Sequence, residues 1–224
     1  MVWPRGSGSA ELGPLPHLDP RVFLAPNCHV FRVLAVIALS YFLGCIVAGY
    51  YVARLRDGTD IRRTGSGNAG ARNVARSHGW LAAAVTLLLD AAKAAAAVLI
   101  GRALMPVEWA VWVAIIAVVA GHVWPVQLGF RGGKGVASAL GGFLTADITA
   151  AALTLGVGLI VLAITRRFTL SGLLALAVAP LSLVVLDRGW QVVVLATIAV
   201  AIVLLAHHPR ADARRRAAFA GTVQ

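Results

Sequence analysis

Long apolar runs recur along this chain and leave it few folds to choose from. Residues 33–53, 80–103, 107–128, 170–186 and 190–206 are rich in aliphatic side chains and poor in charge. About 20 such residues, wound as a helix, cross the hydrocarbon core of a bilayer. In lipid every backbone N–H and C=O needs a partner within the protein, so spanning runs of this kind fold as α-helices. Composition agrees: 59% of residues are hydrophobic and 13% charged, against about 25% charged in a soluble domain. The chain is therefore expected to be an all-α, polytopic integral membrane protein.

A sixth run, residues 136–164, contains Asp147. As one helix it would be about 43 Å long, well beyond a core of about 30 Å. The distribution of basic residues bears on this, because Lys and Arg collect on the cytoplasmic side. Arg54, Arg56, Arg62, Arg63, Arg72 and Arg76 follow the first span, and Arg131 and Lys134 follow the third. A single crossing by 136–164 would place Arg166, Arg167 and the Arg210, Arg214, Arg215, Arg216 cluster outside. Two elements turning near Asp147 keep all of them inside. The expectation is seven transmembrane helices, N-terminus out and C-terminus in. One of them, 136–146, is about 17 Å long and too short to cross alone, which suits a partial helix buried in protein.

Residues 1–30 carry Pro4, Pro14, Pro16, Pro20 and Pro26 among several glycines and read as a disordered tail. Residues 31–206 form the membrane domain and 207–224 a basic cytoplasmic tail. The formal net charge is +11, but the positive residues alternate with spans, which marks membrane anchoring rather than nucleic-acid binding. Cys28 and Cys45 have no spacing that suggests a disulfide framework or a metal site.

Two loops on the inferred cytoplasmic side concentrate the polar chemistry. The first runs Gly65-Ser66-Gly67-Asn68-Ala69-Gly70-Ala71-Arg72-Asn73-Val74-Ala75-Arg76. Its glycines let the backbone approach an anion. Ser66, Asn68 and Asn73 are neutral hydrogen-bonding side chains, and the arginines present guanidinium forks. A solvated glycine-rich connector has the same composition, since short glycine motifs are common. The second loop follows Gly121-His122 and runs to Gly132-Gly133-Lys134-Gly135-Val136-Ala137-Ser138. Glycines, one lysine and a helix start bearing a hydroxyl follow the logic of a phosphate loop, without the spacing of a Walker A motif.

Lysine itself is informative. Of 20 basic residues only Lys93 and Lys134 are lysines. Arg and Lys differ in geometry and hydration, so a chain this biased toward arginine singles out both positions. Lys134 lies in the second loop. Lys93 lies within an apolar span, three residues after Asp90, on the same helix face. A lone charge at mid-membrane costs about 3 kcal/mol, so the two are expected to pair, as a structural ion pair or as part of a site. Intramembrane charges also suit a transport pathway, though no repeated halves accompany them here.

Ser66-Gly67-Asn68-x-Gly70-Ala71-x-Asn73-x-x-Arg76, then Leu89-Asp90-x-x-Lys93, then Gly121-His122-x-x-Pro125-Val126 with Gly132-Gly133-Lys134-Gly135, together resemble the bacterial acyl-phosphate:glycerol-3-phosphate acyltransferases. Tyr41-x-x-Gly44 and Asp60-Ile61-Arg62 are similar as well, and the likeness covers about residues 34 to 205. The resemblance implies a seven-helix enzyme of phospholipid synthesis in the bacterial inner membrane. It would transfer a fatty acyl group from acyl phosphate to the 1-hydroxyl of glycerol 3-phosphate, without cofactor or metal, coupled to an enzyme that makes acyl phosphate.

Carried over, Ser66, Arg76, Lys134 and His122 are the implied catalytic residues. Gly65, Gly67, Asn68, Gly70, Asn73, Gly132, Gly133, Gly135, Ser138 and His207 are the implied substrate-binding residues, with backbone N–H groups of Gly132, Gly133 and Gly135 facing the developing oxyanion. The chain departs from the family in four places. Arg72 stands where the family usually has Thr, Cys45 where Ser is expected, and Gly172, beside Ser171, where a Ser usually follows Arg166-Arg167. The final motif reduces to His207-His208-Pro209-Arg210 without the usual Asn and Gly-Glu. A relative with another phosphorylated acceptor, or without activity, is the alternative those departures leave open.

Overall fold

The computed structural model describes residues 20–208, with side chains from residue 28 onward. Eight α-helices follow one another among the described residues: α1 (Pro20–Cys45), α2 (Ala48–Asp57), α3 (Ala71–Leu104), α4 (Glu108–Val123), α5 (Val136–Ala146), α6 (Ile148–Thr165), α7 (Phe168–Val185) and α8 (Trp190–Ala206). Two short 3-10 turns, Ile61–Arg63 and Val126–Leu128, lie in the two polar loops. There is no strand among the described residues. Five segments are long and apolar enough to cross a membrane: Cys28–Asp57, Ala71–Leu104, Glu108–Leu128, Ile148–Thr165 and Phe168–Val185. α5 and α8 are shorter apolar helices. The protein is a multi-pass, all-helical membrane protein.

Helix α4 is the hub, packing against α1, α3, α5 and α8, while α5 lies on α3 and α6 on α7. Lipid tails are as apolar as leucine, so helices in a membrane associate by close packing of small residues. The α1–α4 contact is built that way. A Cβ on Gly44 would lie 2.2 Å from the Val118 carbonyl oxygen, and one on Gly121 would lie 2.1 Å from that of Tyr41. Farther along α4, Trp112 meets Phe143 of α5 edge-on, with ring centroids 4.8 Å apart.

The run 136–164 breaks at Asp147, as the charge distribution requires. Asp147 closes α5 and caps α6, its carboxylate accepting from the N–H groups of Thr149 and Ala150. It also pairs with Arg188 at 2.7 Å. The short α5 ends on carbonyls that have no partner within the helix. Arg102 of α3 supplies one, donating to Thr145 and Ala146 at 2.9 Å each.

Three boundaries differ from expectation. Helix α1 begins at Pro20, so residues 20–30 belong to a helix rather than to a disordered tail; proline fits the first helical position because it lacks only an N–H that would be unpaired there. Residues 1–19 and 209–224, including most of the two proposed tails, lie outside the described residues. Within the third span, Glu108–Leu128, helix α4 ends at Val123 and a 3-10 turn takes over, because Pro125 disfavours helical geometry at the residue before it. The first span is broken at Ile46–Val47, where side chains of α3 and of the loop after α4 meet it, as described below.

Candidate functional site

Two loops, 58–70 and 124–135, share one end of the bundle. The first follows α2 and leads into α3, whose opening segment ends at a kink where Gly79 takes φ 82° and ψ 174°. Its organiser is Asn73, only 1% exposed. The Asn73 amide oxygen accepts from the Ser66 N–H at 2.9 Å, and its Nδ2 donates to the carbonyls of Ile61 and Thr64 at 2.9 and 3.0 Å. Both amide hydrogens are thereby used, and Asn73 shapes the loop. Gly65 has φ 56° and Gly67 φ 72°, left-handed values that a side chain would oppose. The resulting tight turn leaves Ser66 half-buried, with Asn68 and Gly70 beside it. Arg76 is exposed one helical turn after Arg72. Arg72 itself donates to the Thr169 hydroxyl at the start of α7, so the arginine that replaces the usual threonine reaches across the rim of the site.

The second loop folds back onto the end of α4. The Gly132 N–H donates to the Val123 carbonyl at 3.1 Å and the Gly133 N–H to that of His122 at 3.0 Å. Those two N–H groups are therefore not directed at an oxyanion, a correction to their expected role. The glycines are needed for contact instead: a Cβ on Gly132 would lie 2.0 Å from the His122 carbonyl oxygen. Gly135, at φ 84°, begins α5 and packs against Val119, Val123 and Val203. This brings the end of α8 to the loop. His207 lies one turn beyond Val203, half-buried, and shares a 2.8 Å contact between its Nδ1 and the Val203 carbonyl. Lys134 is half-buried. Ser138 is fully buried, with no hydrogen-bond partner for its hydroxyl among the described residues, so it lies below the surface of the loop it was expected to serve.

Arg62 joins the loops, and it was not among the expected site residues. Its guanidinium donates to the carbonyls of Leu128 and Arg131 at 2.7 and 3.2 Å. The same group grips the Asp60 carboxylate twice, at 2.9 and 2.8 Å, and lies 5.0 Å from the Tyr50 ring centre. Burial alone pushes Asp60 up, but the hydrogen bonds and charge of Arg62 outweigh it and hold Asp60 below the ordinary carboxylate value. A lowered carboxylate pKa contributes stability above the unfolded value and loses it as pH falls through the folded one. The clasp is thus complete at neutral pH. The sequence signal was Asp60-Ile61-Arg62, a close i, i+2 pair beside the glycine loop.

Behind the loops, Asp90, Lys93 and His122 meet in one buried cluster, with exposures of 2%, 7% and 3%. Lys93 Nζ lies 2.8 Å from Asp90 Oδ1 and 2.8 Å from His122 Nδ1. It also donates to the carbonyls of Gly44 and Ile46 at 3.0 and 2.7 Å. The Ala48 N–H donates to Asp90 Oδ1 at 3.3 Å, and the Gln127 side-chain amide donates to the Cys45 carbonyl. The backbone groups freed by the break at Ile46–Val47 are therefore satisfied by side chains of α3 and of the loop after α4.

A model of the glycerol-3-phosphate acyltransferase family matches residues 34–216 of this chain. The chain is 44% identical over 175 residues to glycerol-3-phosphate acyltransferase 1 of Desulfitobacterium hafniense, covering 78% of this chain and 86% of that one. This chain belongs to the glycerol-3-phosphate acyltransferase family. A second family member, from Synechococcus sp. (strain JA-2-3B'a(2-13)), is 49% identical over 148 residues, 66% of this chain and 73% of its own. The acyltransferase fold also superposes on crystal structures of PlsY, an integral membrane glycerol 3-phosphate acyltransferase. Its glycerol 3-phosphate form gives a TM-score of 0.74 at 32% identity, covering 83% of this chain and 92% of that one. Its lysophosphatidic acid form gives 0.73 at 31%, covering 80% and 90%.

Proposed function

We propose that this acyltransferase moves a fatty acyl group from acyl phosphate to the 1-hydroxyl of glycerol 3-phosphate. The hydroxyl oxygen forms a bond to the acyl carbon, the carbon–oxygen bond to phosphate breaks, and the hydroxyl proton leaves on a phosphate oxygen. The products are lysophosphatidic acid and inorganic phosphate. One observation carries the reading: the chain shares its fold with PlsY over nine-tenths of that protein, in forms named for glycerol 3-phosphate and lysophosphatidic acid.

The residues supply what that chemistry needs. Acyl phosphate is already activated, so no protein nucleophile is required. Both substrates are phosphorylated, and two glycine loops joined by Arg62 stand side by side. Ser66 and Arg76 orient the glycerol 3-phosphate phosphate or its hydroxyl. Lys134 neutralises the acyl phosphate and the charge that develops on its carbonyl oxygen, the larger part of such catalysis being electrostatic. We place the loops on the cytoplasmic side of a bacterial inner membrane, seven apolar helical segments crossing or entering it, near an enzyme that supplies acyl phosphate.

The test is to supply the purified protein with palmitoyl phosphate and glycerol 3-phosphate and to follow phosphate release and lysolipid formation. No turnover, with a family member active in parallel, defeats the reading. Lys134→Ala should abolish turnover with folding intact, and Lys134→Arg should impair it. Full activity in Lys134→Ala would remove the second loop from the mechanism.

A further inference from the structure

The buried Asp90–Lys93–His122 cluster is larger than a structural ion pair requires, and its contacts lead to both loops. Toward the first loop, Lys93 and Asp90 hold the break from which α2 starts. Two residues into α2, Gly49 is pressed against the first loop: a Cβ there would lie 2.2 Å from the Ala69 carbonyl oxygen. Toward the second loop, Lys93 and Asp90 face Nδ1 of His122 at 2.8 and 3.3 Å. The opposite edge of the same ring is pressed against the second loop, where a Cβ on Gly133 would lie 2.0 Å from Nε2.

An ammonium has three hydrogens, and Lys93 has four neighbours within 3.0 Å: two carbonyls, Asp90 and His122. The ammonium shares its hydrogens among these four, and its 2.8 Å contact to Nδ1, shorter than the 3.3 Å from Asp90, ties His122 to the α1–α2 break. We propose that Asp90 and Lys93 are positioning residues for acyl transfer. Through the α1–α2 break and through His122 they fix the separation of the two glycine loops. The proposal rests on the reading above that both loops hold substrate. Neither Asp90 nor Lys93 touches it.

The test uses the full chain in nanodiscs and two measurements. Lys93→Met leaves Asp90 buried without its cation, so it is paired with the variant Asp90→Leu/Lys93→Met, in which no charge is stranded. Backbone hydrogen exchange is followed in the segments 60–74 and 130–136, with α7 as the reference for an intact fold. The variant whose α7 exchanges as in wild type is the one read. Its loop segments should exchange faster, and kcat should fall by about a hundredfold, the scale of a 1 Å misplacement. Wild-type loop exchange with wild-type kcat would overturn the proposal.

Gly133→Ala presses on the same ring from the loop side and leaves Asp90 and Lys93 themselves in place. Combined with Asp90→Asn, its loss of kcat should be less than the sum of the two in free energy, whereas strict additivity would overturn the link through His122. Exchange needs no substrate. If wild type fails to turn over palmitoyl phosphate, it still reports whether the cluster sets the loops, and the substrate reading alone is lost.

Discussion

At the scale of single residues, the site is held together by side chains whose hydrogen bonds are internal. Asn73 is the clearest case. Its amide is satisfied by Ser66, Ile61 and Thr64, and replacing it with Ala would leave buried partners unpaired at a cost of about 1–3 kcal/mol. Asn73→Ala should therefore lower the thermal midpoint and raise KM for glycerol 3-phosphate, while Asn73→Asp should recover only the Ser66 contact. The polar residues of the first loop were legible in the sequence as a group. Which of them faces inward was not, because Ser, Asn and Gly serve a turn and a phosphate equally well. The same ambiguity hid the use of the Gly132 and Gly133 N–H groups by the end of α4. Arg62 escaped notice for a different reason: the carbonyls it bridges come from loop residues 66 and 69 positions away, and backbone acceptors leave no mark in a sequence.

At the scale of elements, hydrophobic length placed most of the helices and said little about their interruptions. Asp147 ends one helix and caps the next, a break that helix length and the charge distribution together predicted. The break at Ile46–Val47 has no proline. Its signal was remote, in the Asp90 and Lys93 whose intramembrane charges needed partners. The short α5 illustrates how such elements are completed. Arg102→Met should remove the two hydrogen bonds that close its last turn, destabilising the protein by roughly 1–2 kcal/mol. Because Arg102 lies at the end of α3 remote from the glycine loops, kcat/KM should stay within about twofold of wild type. A thermal unfolding series with parallel kinetics checks both expectations. A large loss of activity at unchanged stability would refute the capping role.

For the whole molecule, the charge distribution and the break at Asp147 combine into an orientation. With Cys28 and Cys45 replaced by alanine, single cysteines at Thr64 and Arg166 should be shielded from a membrane-impermeant maleimide in right-side-out vesicles. A cysteine at Pro106 should react. Labelling of positions 106 and 166 from the same side would mean that 136–164 crosses only once. The apolar cores of α4 and α8 make the interior, and the polar residues that matter gather at one end of it, so the fold class was legible from composition while the site required the chain to be assembled.

The interrupted first span carries a consequence for biogenesis. Membrane segments leave the ribosome in chain order, N-terminal first. When residues 33–57 enter the membrane, Asp90, Lys93, His122 and Gln127 have not yet followed them into it. A span alone in lipid must satisfy its own backbone, so the nascent segment is expected to be a continuous helix. The break is then expected to open when α3 brings its ion pair and to be completed when the loop after α4 docks. On that order the helix that supports the first glycine loop separates from its parent span after insertion, through residues that enter later.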